Sequence, residues 1–231
     1  MDGRPDLLRR ATAEGIGVFA LVFAGCGAIV AEAENPGTLG AIGVALAFGL
    51  VVMAMVYATG HLSGAHLNPA VTLAFALTRH FPRGETLAYL AAQVAGALAA
   101  AALLAAVWPS QPADLGTTLP SVGIGSAFVY EVVLTAFLMF VIMAVATDTR
   151  AVGAAAAIAI GGTVGLDALF GGPVTGASMN PARSLGPALV SGELHDLWLY
   201  LLAPPLGAAL GALAYQLVRG EHPAATASEA A

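Results

Sequence analysis

Ser63-Gly64-Ala65-His66-Leu67-Asn68-Pro69-Ala70 returns 112 residues later as Thr175-Gly176-Ala177-Ser178-Met179-Asn180-Pro181-Ala182. Five of the eight positions are identical. Flanking landmarks return with them: Glu14 with Glu131, and Gly96 with Gly207. A membrane-crossing helix needs about 20 predominantly apolar residues, and six stretches qualify: 12–33, 38–59, 84–108, 124–146, 151–170 and 196–218. Each octapeptide therefore lies among three spans. Three is odd, so the second half must run through a bilayer upside down relative to the first. That is an inverted repeat, whose working site is expected where the halves meet near mid-membrane. The chain divides into a first repeat (1–108), a connecting loop (109–123), a second repeat (124–219) and a polar, Ala-rich tail (220–231) expected to be disordered.

Composition agrees. Of 231 residues, 58% are hydrophobic and 10% charged, and mean hydropathy is +0.85. Soluble domains carry about 25% charged residues. The single cysteine, Cys26, excludes an intrachain disulfide or a Cys-based metal cluster and reads as a packed apolar residue. The eight basic residues are all Arg. With six spans, Arg4, Arg9, Arg10, Arg79, Arg83, Arg150 and Arg219 share one side. The positive-inside rule then puts both termini in the cytoplasm; the expected location is the cell (inner) membrane. Arg183 alone falls on the other side, directly after the second Asn-Pro-Ala.

Asn is a favourable N-cap, and Pro suits the first helical position because its missing N–H is not needed there. Asn68-Pro69-Ala70 and Asn180-Pro181-Ala182 should therefore each open a short helix, at 68–78 and 180–190. Such helices span about half of a ~30 Å hydrocarbon core. Entering from opposite faces, they would meet at the centre. Each Asn oxygen would cap its own helix, leaving the amide NH₂ free as a donor. The helix N-termini carry partial positive charge. The non-helical runs before the triplets, Gly64 to Leu67 and Gly176 to Met179, would expose backbone carbonyls, those of Gly64, Ala65, His66, Gly176 and Ser178 lining the pore, which is tolerated at this depth only around a wet cavity or within protein. The outcome is a file of donors and acceptors suited to neutral hydrogen-bonding solutes.

Both triplets, with GHLSGAHLNPAVT and GPVTGASMNPARSLGPA around them, resemble the aquaporin or major intrinsic protein family over the whole stretch from first span to last. Nodulin-like intrinsic proteins and their bacterial relatives are the most similar branch. The resemblance implies an all-α membrane fold of six tilted helices plus two re-entrant half-helices, usually a homotetramer with one pore per subunit. It implies an outer constriction at Phe48, Ala168, Ala177 and Arg183, with the Arg acting as a barrier to cations. Water-selective members usually carry His at the place of Ala168. Glycerol facilitators usually carry Trp for Phe48, an aromatic for Ala177, and Asp where this chain has Ser184. This chain matches neither pattern, and its two alanines imply a wide filter. The implied function is a passive channel for water and small uncharged solutes, such as polyols or metalloid hydroxides like arsenous acid. The alternatives are a water-selective aquaporin and, from another class, a coupled secondary transporter.

Glu14 and Glu131 are acids in apolar spans and read as supports for the re-entrant loops, a role the resemblance also implies. His61 and His66 lack a third ligand for a metal site; His61 reads as a cytoplasmic pore wall or pH-sensitive gate. Asp167 borders the expected constriction. The sequence offers no catalytic constellation, cofactor motif or nucleic-acid signature.

Overall fold

The computed structural model describes residues 5–148, 150–151 and 155–220. The expected tail, apart from Gly220, lies outside them. Among these described residues, eight α-helices follow in chain order: α1 Leu7–Glu34, α2 Gly40–Ser63, α3 Pro69–Leu77, α4 Thr86–Val107, α5 Ile124–Thr147, α6 Ala156–Thr175, α7 Pro181–Ser191 and α8 Leu197–Val218. Six are long and apolar enough to cross a membrane. Their outward faces carry large apolar side chains such as Ile16, Ile42, Leu50, Leu206 and Leu210. Such a surface needs lipid around it. The protein is a multi-pass membrane protein.

Some helix limits differ from the sequence expectation, for local reasons. α1 begins at Leu7 because the Asp6 carboxylate accepts the Arg9 N–H at 2.9 Å and caps it. Arg9 and Arg10 therefore ride on the first turn. α6 continues past Phe170 through Gly171-Gly172-Pro173 to Thr175. Its last turn is tolerated because the loop answers its free carbonyls: Ser121 Oγ donates to Pro173 O at 2.7 Å and Ser121 N–H to Val174 O at 3.0 Å. Both α2 and α6 stop at a left-handed glycine, Gly64 (φ +90°) and Gly176 (φ +80°).

Glycines also set the crossings. Gly96 of α4 lies against the Gly15 carbonyl of α1, and Gly207 of α8 against the Val132 carbonyl of α5. A methyl group at either glycine would overlap that carbonyl. The two contacts are repeat equivalents, each adjoining one of the paired glutamates. α2 and α6 meet through Gly49 and Gly161: a Cβ on Gly49 would stand 2.8 Å from Gly161 O. Such small-residue contacts let backbones approach in lipid.

The helix ends sort onto two faces. On one, Arg10 forms a two-pronged pair with Glu85 (2.7 and 2.8 Å), and Arg150 donates to the Arg219 carbonyl at 3.0 Å. On the other, Thr117 of the α4–α5 connection meets Ser191 at 3.4 Å. The half-helices α3 and α7 enter from these opposite faces. At nine and eleven residues they are roughly 14 and 17 Å long.

Candidate functional site

The N-termini of α3 and α7 meet in the middle of the bundle. Asn68 Oδ1 accepts the Ala70 N–H at 2.8 Å, and Asn180 Oδ1 accepts those of Ala182 (3.0 Å) and Arg183 (3.3 Å). Pro69 and Pro181 open the two helices. The Asn amides are less free than the sequence suggested. Asn68 Nδ2 donates to Met179 O and Asn180 Nδ2 to Leu67 O, both at 2.8 Å. Each cap thus ties its half to the opposite loop, and only the second amide hydrogen remains for anything between them.

Those bonds depend on a backbone conformation that no motif announces. Ala65 (φ +46°) and Leu67 (φ +52°) are left-handed, as are Ala177 (φ +42°) and Met179 (φ +52°). Such conformations cost non-glycine residues roughly 1–3 kcal/mol each. They are held from behind by the paired acids. Glu14 accepts the N–H groups of His66 (2.9 Å) and Leu67 (2.7 Å), the Ser63 hydroxyl (2.7 Å) and Gln93 Nε2 (2.8 Å). Glu131 accepts the N–H groups of Ser178 and Met179 (both 2.9 Å) and the Thr175 hydroxyl (2.6 Å). A tyrosine from the third helix of each half closes the frame: Tyr89 OH donates to Ser63 O at 2.8 Å, and Tyr200 OH to Thr175 O at 2.7 Å.

A narrow cavity of about 60 Å³ runs through this junction. At the ~10–15 Å³ each water needs, it holds a short file. Its walls include Phe48, Ala168, Ala177 and Arg183 at one end, both Asn residues at the centre, and Gly64, Ala65 and His66 towards the other end. Ser178 also lines it, whereas Gly176 does not: Gly176 packs against Thr118 instead. His66 lines both this cavity and a wider vestibule of about 500 Å³ beyond it. His61 is exposed and lines only the vestibule, with Arg10 and His80. Phe75 lines both spaces, as His66 does, so two rings stand at the neck between vestibule and cavity; that of His66 is held by Thr72 Oγ1 (3.1 Å) and boxed by Phe75, Phe81 and Tyr89.

Arg183 is 1% exposed and has no carboxylate partner among the described residues. Asp167 and Glu193 do not pair with it. Its Nη1 donates to Gly116 O at 2.7 Å, and its guanidinium carbon sits 5.0 Å from the Phe48 ring centroid, within cation–π range. Nε and Nη2 have no acceptor among the described residues. Gly116 ends a left-handed turn through Gln111, Ala113, Asp114 and Leu115, which is what aims its carbonyl inward. Ser184 joins Ser178 (2.6 Å) and Thr118 (2.7 Å) in a chain of hydroxyls beside Arg183. Asp167 is fully buried, with both oxygens unpartnered among the described residues.

The sequence named the caps, the acids and Arg183. It placed Leu67 and Met179 in carbonyl-exposing runs but missed that the opposite Asn takes their carbonyls, and it missed the parts played by Tyr89, Tyr200, Gln93 and Gly116. The tyrosines lie at nearly equal distances beyond their motifs, a signal that could have been found.

The family model for the major intrinsic proteins matches residues 3–215. This chain belongs to the major intrinsic protein family. Similar members include Aquaporin NIP1-4 of Oryza sativa subsp. japonica, 53% identical over 212 residues (92% of this chain, 77% of that protein), and Nodulin-26 of Glycine max, 49% identical (92% and 78%). The X-ray structure of the aquaglyceroporin from Plasmodium falciparum superposes with a TM-score of 0.82 at 28% identity, covering 93% of this chain and 97% of that one. The family's members are membrane channels.

Proposed function

We propose that this major intrinsic protein is a passive channel for water and small uncharged solutes of the glycerol or arsenous-acid kind, excluding ions and protons. The observation that carries the reading is the junction itself: two helix N-termini, capped by Asn68 and Asn180, face one narrow cavity beside an acid-free Arg183. Around that file the N-termini and the guanidinium present positive potential and hydrogen-bond donors. The Leu67 and Met179 carbonyls are taken up by the Asn amides, and those of Gly64, Ala65, His66 and Ser178 supply acceptors. A neutral hydroxyl compound finds partners at each step. A cation meets the Arg183 guanidinium, which has no ion-pair partner among the described residues, at an effective cost of several kcal/mol in a low-dielectric site. Two alanines, Ala168 and Ala177, leave room for solutes larger than water. The relatives' names, aquaporin and aquaglyceroporin, support the same class. The cavity holds neutral amides at its centre and no acid between them, which favours a channel over a coupled transporter.

The same reading places Asn68-Pro69-Ala70 and Asn180-Pro181-Ala182 at the pore centre, and Phe48, Ala168, Ala177 and Arg183 at its filter. It places the Arg-rich face and both termini in the cytoplasm, the chain in the cell membrane, and four copies in the working assembly. Stopped-flow on proteoliposomes tests it. Water, glycerol and arsenous acid should each cross faster than in empty vesicles, without saturating and without a proton or sodium gradient. Ala168→His should reduce glycerol flux more than water flux. Fast water flux with glycerol and arsenous acid at background would leave a water-selective pore. Saturable, gradient-dependent flux would overturn the channel reading.

A further inference from the structure

We infer that Gly25, on a helix behind the constriction, sets the filter's width by giving the Phe48 ring a place to withdraw; this rests on the channel reading above. Phe48 lies in α2 and lines the cavity, yet is only 7% exposed. Its ring is folded back against α1, over the bare backbone of Gly25. A Cβ on Gly25 would overlap the ring's Cδ1 and Cε1 and stand 2.6 Å from Cζ. Contacts of that kind do not survive; something must move. The helix carrying Phe48 cannot retreat, because the next residue, Gly49, is already in backbone contact with Gly161 and Gly165 of α6. The ring is left to turn towards the cavity that it shares with Ala168, Ala177 and Arg183. In the same movement it leaves its seat under the guanidinium, 5.0 Å from the ring centroid.

Leu21, one turn away on the same helix face, lines the cavity directly. Gly25 has no side chain to do so. It acts through Phe48 and is a positioning residue. Gly27, on another face of α1, has room for a methyl group, which would meet Leu104 at an ordinary 3.4 Å.

Gly25→Ala should lower the glycerol-to-water permeability ratio about tenfold, the effect of an overpacking strain of ordinary size expressed in the barrier. Water, being smaller, should lose less. Gly27→Ala should leave the ratio unchanged. In Gly25→Ala/Phe48→Ala the ratio should return to that of Phe48→Ala alone. An unchanged ratio in Gly25→Ala, or one that stays low in the double variant, overturns the inference. A thermal double-mutant cycle on purified protein covers the case of a poorly folding variant or a wild type that passes no glycerol. Gly25→Ala should cost stability in the presence of Phe48 and little in its absence; additive costs would refute the steric coupling. The wild-type fluxes of water and glycerol separately decide the channel reading.

Discussion

The two re-entrant loops share a backbone and differ in almost everything attached to it. Gly64–Asn68 and Gly176–Asn180 have the same left-handed residues at the same places, the same acid behind them and the same Asn-to-carbonyl exchange at 2.8 Å. Around that frame the first loop sets a histidine among three aromatic rings, with Thr72 and Gln93 behind it. The second sets Ser178, Ser184 and Thr118 in a hydroxyl chain and adds Arg183. His66 and Ser178 are repeat equivalents, as are Thr72 and Ser184, and Val71 and Arg183. The backbone makes the meeting point, and it must be duplicated because each half's amide needs the other's carbonyl. The side chains distinguish an aromatic neck from a charged one. Selectivity of the kind proposed therefore belongs mainly to the second loop.

The largest effect expected is from removing the acids. Glu131→Ala strands two buried N–H groups and a hydroxyl, and Glu14→Ala strands one buried and one part-buried N–H, a hydroxyl and one bond of the Gln93 amide. At about 1–3 kcal/mol for each buried unsatisfied group, either change should remove several kcal/mol and lower yield and melting temperature sharply. If only one of them does so, the loops are not equivalent frames. Glutamine sharpens the comparison. Each carboxylate oxygen receives a backbone N–H, so a glutamine loses at least one such bond in either loop. In the first loop, Gln93 Oε1 has no partner among the described residues and can accept the new amide. Glu14→Gln should therefore be milder than Glu131→Gln by about one hydrogen bond, ~1 kcal/mol, read from melting curves.

Next in size is Arg183→Val, which gives the second loop the residue of the first. It removes the buried guanidinium from the proposed filter. Cation or proton leak should rise at least about tenfold, equivalent to ~1.4 kcal/mol of lost barrier, a modest share of a unit charge's effect at this depth. Voltage-clamped bilayers or a pH-dye assay in liposomes would show it. No change in leak for Arg183→Val would mean the half-helix N-termini suffice.

Much of this was legible in the sequence because it depends on local chemistry. An Asn before Pro makes a cap, and two copies at one spacing make a repeat. Arg183 stood out because the charge pattern forbade it. What was not legible depends on contacts distant in the chain. Gly116 serves Arg183 from 67 positions away. The Leu67 and Met179 carbonyls matter only after their residues turn left-handed, which Leu and Met do not advertise. Gly25 reads as one small residue among 28 glycines until Phe48 is seen lying on it. The Asn amides were read as fully free because the sequence cannot show the opposite loop's carbonyl arriving.

The smallest effect expected lies at the far ends of the helices that carry the two acids. Here too the halves use one device with different parts. Glu32, near the end of α1, accepts the N–H groups of Gly37 (2.7 Å), Leu39 (2.7 Å) and Gly40 (2.9 Å) and so fastens the turn into α2. Asp148, just after α5, accepts Arg150's N–H at 3.0 Å, its guanidinium at 2.9 and 2.5 Å, and the Tyr215 hydroxyl at 2.8 Å. The Arg150 guanidinium, then its N–H and the Tyr215 hydroxyl, hold the Asp148 carboxyl below its ordinary value of 3.8. A depressed folded-state value means the stabilisation is complete above that ordinary value and is lost as pH falls below it towards the folded one. The Arg150 side chain is 57% exposed, so solvent and salt keep the contribution small. Asp148→Asn should therefore lower the melting temperature slightly and evenly from mildly acidic to mildly basic pH. The gap from wild type should close below about pH 4 and shrink in high salt. Glu32→Gln exchanges an acceptor of three backbone N–H groups for a weaker one, with no cation involved, so its deficit should survive salt. A salt-insensitive Asp148→Asn deficit would show that Tyr215, rather than Arg150, is what the carboxylate holds.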